Sequence, residues 1–235
     1  MLSIEDMKIR VAKYAISVVR DDIVLGVGSG STSMYFLKEL AQYLKDGKFR
    51  NIVIVPTSSE VEYFSKILGI DSYLKQPWQV DKIDIAIDGA DEVDKNRNLL
   101  KGGGGALTGE KIIDYNAKEL YIIIDERKLV DYIGMRTPIP IEVIPKYWSI
   151  VAKRVIEKYG GDINLRILEK AKRGPLITDN FGYILDWRRI LNDVDPEYVE
   201  KEVKLIPGVV EVGIFGRSHV TKVFVCQSSG EILEL

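Results

Sequence analysis

The stretch "DIVLGVGSGSTSMYFLKELAQYL", residues 22–44, decides the fold of this 235-residue chain. Its first part, "DIVLGVG", is apolar on both faces, as expected of a strand buried between two layers of helices. The next part, "STSMYFLKELAQYL", is predicted to be helical, and a glycine-rich turn joins the two. The stretch therefore predicts the first strand–helix unit of a parallel sheet.

The same alternation continues on both sides of this stretch. An amphipathic helix is predicted over 3–19, opened by a capping-box pattern at Ser3 and Asp6. Apolar strands are predicted at "NIVIVPT" (51–57), "KIDIAID" (82–88) and "ELYIIID" (119–125), with helices at 58–68 and 108–117 between them. This order predicts a doubly wound α/β domain with a mostly parallel, Rossmann-like sheet.

The pattern changes after Val130, where "RTPIPIEVIP" brings Pro138, Pro140 and Pro145 into ten residues. Such a segment suits an edge strand or a linker, so a boundary is predicted near 131–137. The following order is strand 139–144, helix 148–159, strands 164–169 and 176–187, helix 196–206 and strand 209–215. It predicts a smaller α+β domain of the ferredoxin-like kind.

The expected domains are an α/β catalytic domain of residues 1–131 and 210–235, and a ferredoxin-like domain of residues 132–209. The last segment, "VTKVFVCQSSGEILEL", has strand character, and a return to the first sheet is one reading of it.

Composition narrows the classes of function. The chain has 33 Lys and Arg against 35 Asp and Glu, so no basic excess predicts a nucleic-acid partner. No apolar run reaches the length of a membrane span, and the single cysteine, Cys226, fits a reducing compartment, so we expect a cytoplasmic protein. With one histidine, His219, acid–base chemistry falls to carboxylates or lysines.

The turn "GVGSGST", residues 26–32, lies where a doubly wound sheet binds ligands, beyond the carboxyl end of a strand. Helix N-terminal N–H groups with the hydroxyls of Ser31 and Thr32 suit a phosphate group. The dinucleotide fingerprint needs glycine at Ser31, and a Walker loop needs a Gly-Lys pair that is missing. A tight structural turn is the alternative interpretation.

Two aspartates in "IDGADEVD" follow the third strand of the sheet. Asp88 and Asp91 flank Gly89, and neighbouring carboxylates can tune each other's proton affinity and move protons between sugar hydroxyls. Holding a magnesium ion or capping a turn are the alternatives.

The stretch "LLKGGGGALTGEKI", residues 99–112, places four glycines between Lys101 and a helix that carries Glu110 in its first turn. Backbone N–H groups of such a loop, together with the Lys101 ammonium, can stabilise an enediolate oxygen. Glu110 is then a candidate base, although a carboxylate in a first helical turn is also favoured by the helix dipole alone. Lys8 and Lys128 are candidate phosphate contacts, with solvated surface lysines as the alternative.

Four motifs in this order, "GVGSGST", "IDGADEVD", "KGGGGALTGEK" and "DERKLV", resemble ribose-5-phosphate isomerase of the type A family. The segments "PIEVIP", "TDNFGYILD" and "IPGVVEVGIF" extend the resemblance over essentially the whole chain. The resemblance implies interconversion of ribose 5-phosphate and ribulose 5-phosphate without a metal or organic cofactor. It also implies a homodimer or a homotetramer.

The resemblance implies a role for each matching residue. Glu110 matches the general base, and Asp88, Asp91 and Lys101 match further catalytic positions. The expected substrate-binding residues are Lys8, Gly28, Ser29, Gly30, Ser31, Thr32, Gly102, Gly103, Gly104 and Lys128. The competing hypothesis is a sugar-phosphate sensor of the same fold, which would bind a phosphosugar without needing a base.

Overall fold

The computed structural model describes residues 1–168 and 173–235, so Glu169, the predicted last residue of one strand, lies outside the described residues. The described helices are α1 (Ile4–Ala15), α2 (Gly30–Lys45), α3 (Ser59–Ile67), α4 (Leu107–Asn116), α5 (Trp148–Tyr159) and α6 (Pro196–Lys204). The described strands are β1 (Val24–Val27), β2 (Val53–Pro56), β3 (Ile83–Asp88), β4 (Glu92–Asp94), β5 (Leu99–Leu100), β6 (Ala117–Asp125), β7 (Leu129–Val130), β8 (Ile139–Val143), β9 (Asp162–Leu165), β10 (Ile167–Leu168), β11 (Gly174–Pro175), β12 (Tyr183–Arg188), β13 (Val209–Val212), β14 (Ile214–Phe215), β15 (Lys222–Cys226) and β16 (Ile232–Glu234). Among the described helices, none combines the length and the apolar character that a bilayer crossing requires.

The chain divides into two compact units. The first unit comprises Met1–Ala90, Gly109–Lys128 and Ser218–Leu235. Its sheet has the order β16-β15-β6-β3-β1-β2, and every pairing in it is parallel except β15 with β16. The predicted α/β fold with a mostly parallel sheet is confirmed, and the C-terminal segment supplies two strands of that sheet.

The core of the first unit follows from strands that are apolar on both faces. Leu25, Ile54 and Ile85 on neighbouring strands are fully buried, and Phe36 of α2 is buried in the same cluster. Burying a side chain of this size stabilises the fold by about 1.5–3 kcal/mol each relative to exposure. These contacts hold the carboxyl ends of β1, β2, β3 and β6 along one edge of the sheet.

The second unit comprises Asp91–Thr108 and Leu129–Arg217. Its main sheet is antiparallel with the order β13-β8-β12-β9, which is the strand order of a ferredoxin-like fold. Trp187 of β12 is fully buried and packs with Val151 of α5 and Val199 of α6. The predicted smaller α+β fold is confirmed.

The second unit also holds a sheet that the sequence did not predict. It has the order β14-β5-β4-β7 and is built from strands of two or three residues. This sheet draws residues 91–108 into the second unit, together with 129–131 and 210–217. The second unit therefore begins and ends at residues other than the expected boundaries at 131/132 and 209/210, and it includes the separate segment 91–108.

The predicted strand 176–187 is wrong in its first half, because a turn interrupts it before β12. The Thr178 hydroxyl accepts hydrogen bonds from the N–H groups of Asn180 (3.2 Å) and Gly182 (2.9 Å), and Phe181 has a positive φ of 61°. A threonine that hydrogen-bonds to backbone two and four residues onward favours a turn over an extended strand.

The predicted strand 209–215 is likewise divided, at Gly213, into β13 and β14. A Cβ at Gly213 would lie 2.3 Å from the carbonyl oxygen of Lys101, and this oxygen is backbone. Gly213 also accepts a hydrogen bond from the Lys101 N–H at 2.8 Å and donates one to the Pro140 carbonyl at 2.7 Å. The chain therefore leaves one sheet and enters the other at a residue without a side chain.

Candidate active site

The glycine-rich turn of the first unit connects β1 to α2. Ser29 has an extended backbone and is the N-cap of α2, so the helix begins at Gly30. Its hydroxyl shares hydrogen bonds with Thr57 Oγ1 (3.0 Å) and Ser58 Oγ (2.6 Å), which follow β2. Three hydroxyl side chains thus meet at the carboxyl edge of the sheet, where a doubly wound fold binds ligands.

The N-terminus of α2 already holds a carboxylate. Gly30 donates its N–H to Glu60 Oε2 at 2.8 Å. Helix N-termini favour negative charge because their N–H groups lack helical partners and the helix dipole is positive there. The Gly30 N–H therefore donates to an anionic oxygen of the chain itself at the turn where the sequence predicts a phosphate site.

Gly28 lies directly against the carboxylate of Asp88. A Cβ added at Gly28 would lie 1.8 Å from Asp88 Oδ1 and 1.9 Å from its carboxyl carbon, so no larger residue fits without moving Asp88. Asp88 is fully buried at the end of β3. Its Oδ1 accepts hydrogen bonds from the Gly89 N–H at 2.6 Å and from Ser33 Oγ at 3.2 Å.

The two lysines that are predicted to contact phosphate differ in position: Lys8 of α1 contacts the glycine-rich turn, and Lys128 follows β6. Lys8 Nζ of α1 donates to Ser31 Oγ at 2.8 Å, which brings an ammonium group to the first turn of α2, where Thr32 also lies half-buried. Lys128 is half-buried in the short helical turn 126–128. Within the described part of the chain, Lys128 makes no hydrogen bond to the turn.

Glu110 lies in the first turn of α4 and is 6% exposed. The residue before it, Gly109, packs directly against the backbone of Thr57, which follows β2. A Cβ at this position would lie only 2.1 Å from the Thr57 carbonyl oxygen. Gly109 therefore lets α4 approach the strand edge that also carries the Ser29 and Ser58 hydroxyls. The first unit brings a buried glutamate, a buried aspartate and the turn to the same edge of its sheet.

Asp91, Lys101 and the glycine run belong to the second unit. Asp91 Oδ2 accepts a hydrogen bond from the Gly103 N–H at 2.8 Å, so the aspartate holds the glycine run directly. Lys101 is 2% exposed, and its ammonium nitrogen lies 5.4 Å from the ring centroid of Phe215. A cation over an aromatic face is stabilised electrostatically, which helps to keep this buried lysine in place.

The glycine run is a turn whose shape requires glycine at two positions. Gly102 and Gly105 have φ values of +100° and +87°, and the Gly105 N–H donates to the Gly102 carbonyl at 3.0 Å. Gly104 is open, with no atom within 4 Å of a Cβ position. The backbone of the turn is therefore fixed at Gly102 and Gly105, and the space beside Gly104 is open.

An arginine holds this turn from outside. Arg166 Nη1 donates to the carbonyl oxygens of Gly102 (3.0 Å) and Gly103 (2.9 Å). The same guanidinium pairs with both carboxylate oxygens of Asp186, at 2.9 Å and 2.5 Å. Arg166 binds two carbonyls of the turn, and the N–H groups of Gly103 and Gly105 already donate to Asp91 and to the Gly102 carbonyl. The N–H groups of Gly102 and Gly104 are therefore the donors that the turn can offer to a ligand.

The single histidine has a packing role. The His219 ring stacks on Tyr115, with ring centroids 3.6 Å apart and planes 8° from parallel. Across residues 1–168 and 173–235, no three His, Cys, Asp or Glu side chains are grouped closely enough to hold a metal ion.

Residues 53–230 match the model of the family described as ribose 5-phosphate isomerase A (phosphoriboisomerase A). The chain belongs to the ribose 5-phosphate isomerase A family. The Pyrococcus horikoshii ribose-5-phosphate isomerase A is 46% identical over 216 residues, which are 91% of each chain.

Solved structures of the family agree over the full chain. The structure of ribose 5-phosphate isomerase A from Methanocaldococcus jannaschii has a TM-score of 0.91 and 41% identity, and 99% of each chain is covered. A structure of D-ribose-5-phosphate isomerase in complex with phospho-erythronic acid has a TM-score of 0.91 and 43% identity, covering 100% of this chain and 99% of that one.

Three residues that support the site of this family member were not predicted. Ser33 lies in the first turn of α2, just after the glycine-rich turn. Its place on the helix would have allowed a prediction that it faces the neighbouring strand. Thr57 and Arg166 carry no such signal. Arg166 is 64 residues from Gly102 along the chain, so only the folded second unit reveals the contact.

Proposed function

We propose that this chain interconverts D-ribose 5-phosphate and D-ribulose 5-phosphate through an enediolate, in the non-oxidative pentose phosphate pathway. The observation that carries the proposal is the pair of buried carboxylates, Asp88 and Glu110, beside a glycine-rich helix N-terminus in a chain of the isomerase family. An aldose–ketose isomerase needs this combination of a phosphate-binding element and a base.

The phosphate group of the substrate is assigned to the turn between β1 and α2. Ser31, Thr32 and the backbone N–H groups of Ser29 and Gly30 supply hydrogen-bond donors. Gly28, whose N–H donates to the Ile87 carbonyl at 2.9 Å, contributes by leaving room for the Asp88 carboxylate. Lys8, which is bonded to Ser31, and Lys128 supply positive charge. A phosphate that takes the Gly30 N–H displaces the Glu60 carboxylate that occupies it here.

Glu110 is the proposed base for the proton transfer between carbons. Its carboxylate removes the C2 proton of the open-chain aldose, and the C2–H electron pair forms the C1=C2 bond while O1 takes the negative charge. The O2 proton passes to O1, the C2 carbonyl forms, and Glu110 returns its proton to C1, so the atoms balance. Asp88, held by Ser33 and Gly89, is proposed to assist ring opening and the transfer between O1 and O2.

The oxyanion is assigned to the glycine run. The Lys101 ammonium and the N–H groups of Gly102 and Gly104 are the proposed donors, and Gly103 joins the site through its backbone contact to Asp91. Stabilisation of a developing oxyanion is usually the largest catalytic contribution. Asp91 is proposed to orient this run through its hydrogen bond to the Gly103 N–H.

A complex of a related isomerase supports this chemistry. That protein binds phospho-erythronic acid. A phosphorylated sugar acid carries a planar, negatively charged carboxylate next to a hydroxyl-bearing carbon, which resembles an enediolate in shape and charge. We infer that the present chain binds such a compound in competition with its substrate.

The proposed reaction uses no metal or organic cofactor, and we propose a cytoplasmic homodimer or homotetramer. Light scattering on the eluting peak of a size-exclusion column measures the subunit number, and a monomer at micromolar concentration contradicts this part of the proposal.

The decisive experiment is an assay of the purified protein with D-ribose 5-phosphate and EDTA. Formation of the ketose supports the proposed isomerase. A protein that binds the phosphosugar without making ketose is a sensor, and turnover that stops with EDTA identifies a metal-dependent enzyme; either result contradicts the proposal.

A further inference from the structure

An arginine-lined cavity of about 210 Å³ lies in the second unit, and none of its lining residues is assigned to the reaction. Its walls are residues 134–138, which precede β8, and residues 188–190, at the end of β12. Arg136, Arg188 and Arg189 are among the lining residues, and none of the lining residues is acidic. One of these arginines, Arg189, is paired with Asp193, and a cavity lined by arginine without a lining carboxylate suits an anion.

One wall of this cavity is rigidly built. The Glu92 side chain is fully buried and accepts hydrogen bonds at 2.7 Å from the N–H groups of Gly134, Arg136 and Thr137. Gly134 has a φ of +85°, and a Cβ there would lie 2.0 Å from the Arg189 carbonyl oxygen. The backbone of the loop is therefore fixed against β12, and its arginine is presented from a preorganised position.

The second wall holds donors that the described residues do not satisfy. Arg189 Nη2 pairs with both oxygens of Asp193, at 2.7 Å and 2.6 Å, but its Nε is buried and has no hydrogen-bond partner in the described part of the chain. A buried donor normally finds an acceptor. The neighbouring Arg188 side chain is exposed, and no described residue pairs with it.

We propose that this cavity binds a small phosphate-type anion, either inorganic phosphate or the phosphoryl group of a small metabolite. Guanidinium groups bind phosphate oxygens in paired hydrogen bonds, and the exposed Arg188 side chain, which no described residue pairs, is available for such a pair. Sites for drug-sized ligands measure about 300–1,000 Å³, and this cavity of about 210 Å³ has room for one phosphoryl group. The inference does not depend on the proposed function.

The test is calorimetric titration of inorganic phosphate into the full-length protein at constant ionic strength. We expect a binding event, assigned to the arginine cavity, that is about tenfold weaker in Arg188→Gln and in Arg136→Gln, because one charged hydrogen bond corresponds to about one order of magnitude in affinity. Arg154→Gln is the matched control, since Arg154 is an exposed arginine of the same unit that lies outside the cavity. Thermal midpoints of all variants verify that they are folded.

Binding at the substrate turn is separated by repeating the titration on Lys128→Gln. The event assigned to the arginine cavity persists in Lys128→Gln and weakens in Arg188→Gln. Titration with glycerol 3-phosphate distinguishes the two sources: tighter binding than inorganic phosphate identifies a phosphoryl group, and weaker binding identifies the free ion. Equal affinities for Arg188→Gln and Arg154→Gln, or complete loss of binding in Lys128→Gln, would overturn the proposal.

Discussion

Ser33 Oγ lies 3.2 Å from Asp88 Oδ1, and both side chains are fully buried. The serine is on α2 and the aspartate ends β3, so the hydrogen bond joins the helix that is proposed to bind phosphate to the carboxylate that is proposed to move protons. Together with the Gly89 N–H, it orients Asp88 before any substrate binds. Preorganisation of this kind lowers the cost of reaching a productive geometry.

Replacing Ser33 by alanine tests this relationship. We expect the free energy of unfolding to fall by about 1–3 kcal/mol, because the buried carboxylate loses a donor. We also expect kcat to fall, since Asp88 gains freedom to rotate. Ser65→Ala is the matched control: Ser65 is an equally buried helical serine, but its hydroxyl has no hydrogen-bond partner among the described residues. Equal stability losses in the two variants, measured by urea unfolding, would contradict the assigned bond.

Gly109→Ala is expected to destabilise the protein although alanine is the better helix former. The new Cβ would lie 2.1 Å from the Thr57 carbonyl oxygen, so α4 must shift, and such overpacking costs about 1–3 kcal/mol. Because Glu110 moves with the helix, kcat should fall as well. At Gly89 the nearest atom to an added Cβ is Ser33 Oγ at 3.5 Å, an ordinary contact, so Gly89→Ala should unfold close to the wild type.

Glu110→Gln removes the proposed base while keeping the shape of the side chain. We expect kcat to fall by a factor on the order of 100 or more, as for loss of a general base, with KM little changed. Glu157→Gln, at an exposed position on α5, serves as the control for a change of one charge. Near-normal turnover of the Glu110 variant in the coupled ketose assay would exclude this residue as the base.

Arg166→Gln is expected to loosen the glycine run. The substitution removes two bonds to the Gly102 and Gly103 carbonyls and the pair with Asp186, whose carboxylate stays largely buried. We expect a loss of about 1–3 kcal/mol in unfolding free energy and a fall in kcat larger than the rise in KM. Arg20→Gln breaks only an exposed pair with Glu119, which is worth about 1 kcal/mol or less. A kcat equal to that of Arg20→Gln would show that the run does not need the guanidinium.

Asp84 makes a pH-dependent contribution to stability. Burial raises its pKa, but hydrogen bonds from Lys82, the Val24 N–H and Lys118 outweigh that effect and lower the pKa to about 2. Because the folded pKa lies below the unfolded value, the stabilisation is present above about pH 4 and is lost as the pH falls toward 2. Asp84→Asn should therefore cost about 2 kcal/mol at pH 7 and much less at pH 2.

Urea unfolding across this pH range measures the effect of the Asp84 substitution. Asp46→Asn is the control, because Asp46 is an exposed aspartate whose ion pair with Lys48 spans 3.7 Å. A stability difference between wild type and Asp84→Asn that stays constant from pH 7 to pH 2 would contradict the assignment.

The predictability of each element follows from the physical signal in its residues. Strands such as "KIDIAID" are buried on both faces, so composition alone identifies them, and the strand-edge rule then locates Gly28 and Asp88. The strands β4, β5, β7 and β14 have two or three residues and show no periodicity, so their sheet was not predicted. The bonds from Arg166 to the glycine run join distant segments, and no local pattern encodes them.

The place of β15 between β6 and β16 has a consequence for biosynthesis. On the ribosome β6 is made about a hundred residues before β15, and elongation at about 5–20 residues per second leaves several seconds between them. During that interval the edge of β6 at Ile122, Ile123 and Ile124 lacks its partner strand. Unpaired strand edges can pair with strands of other chains. The sheet of the first unit is therefore completed only after the second unit has been translated, because β15 follows that unit in the chain.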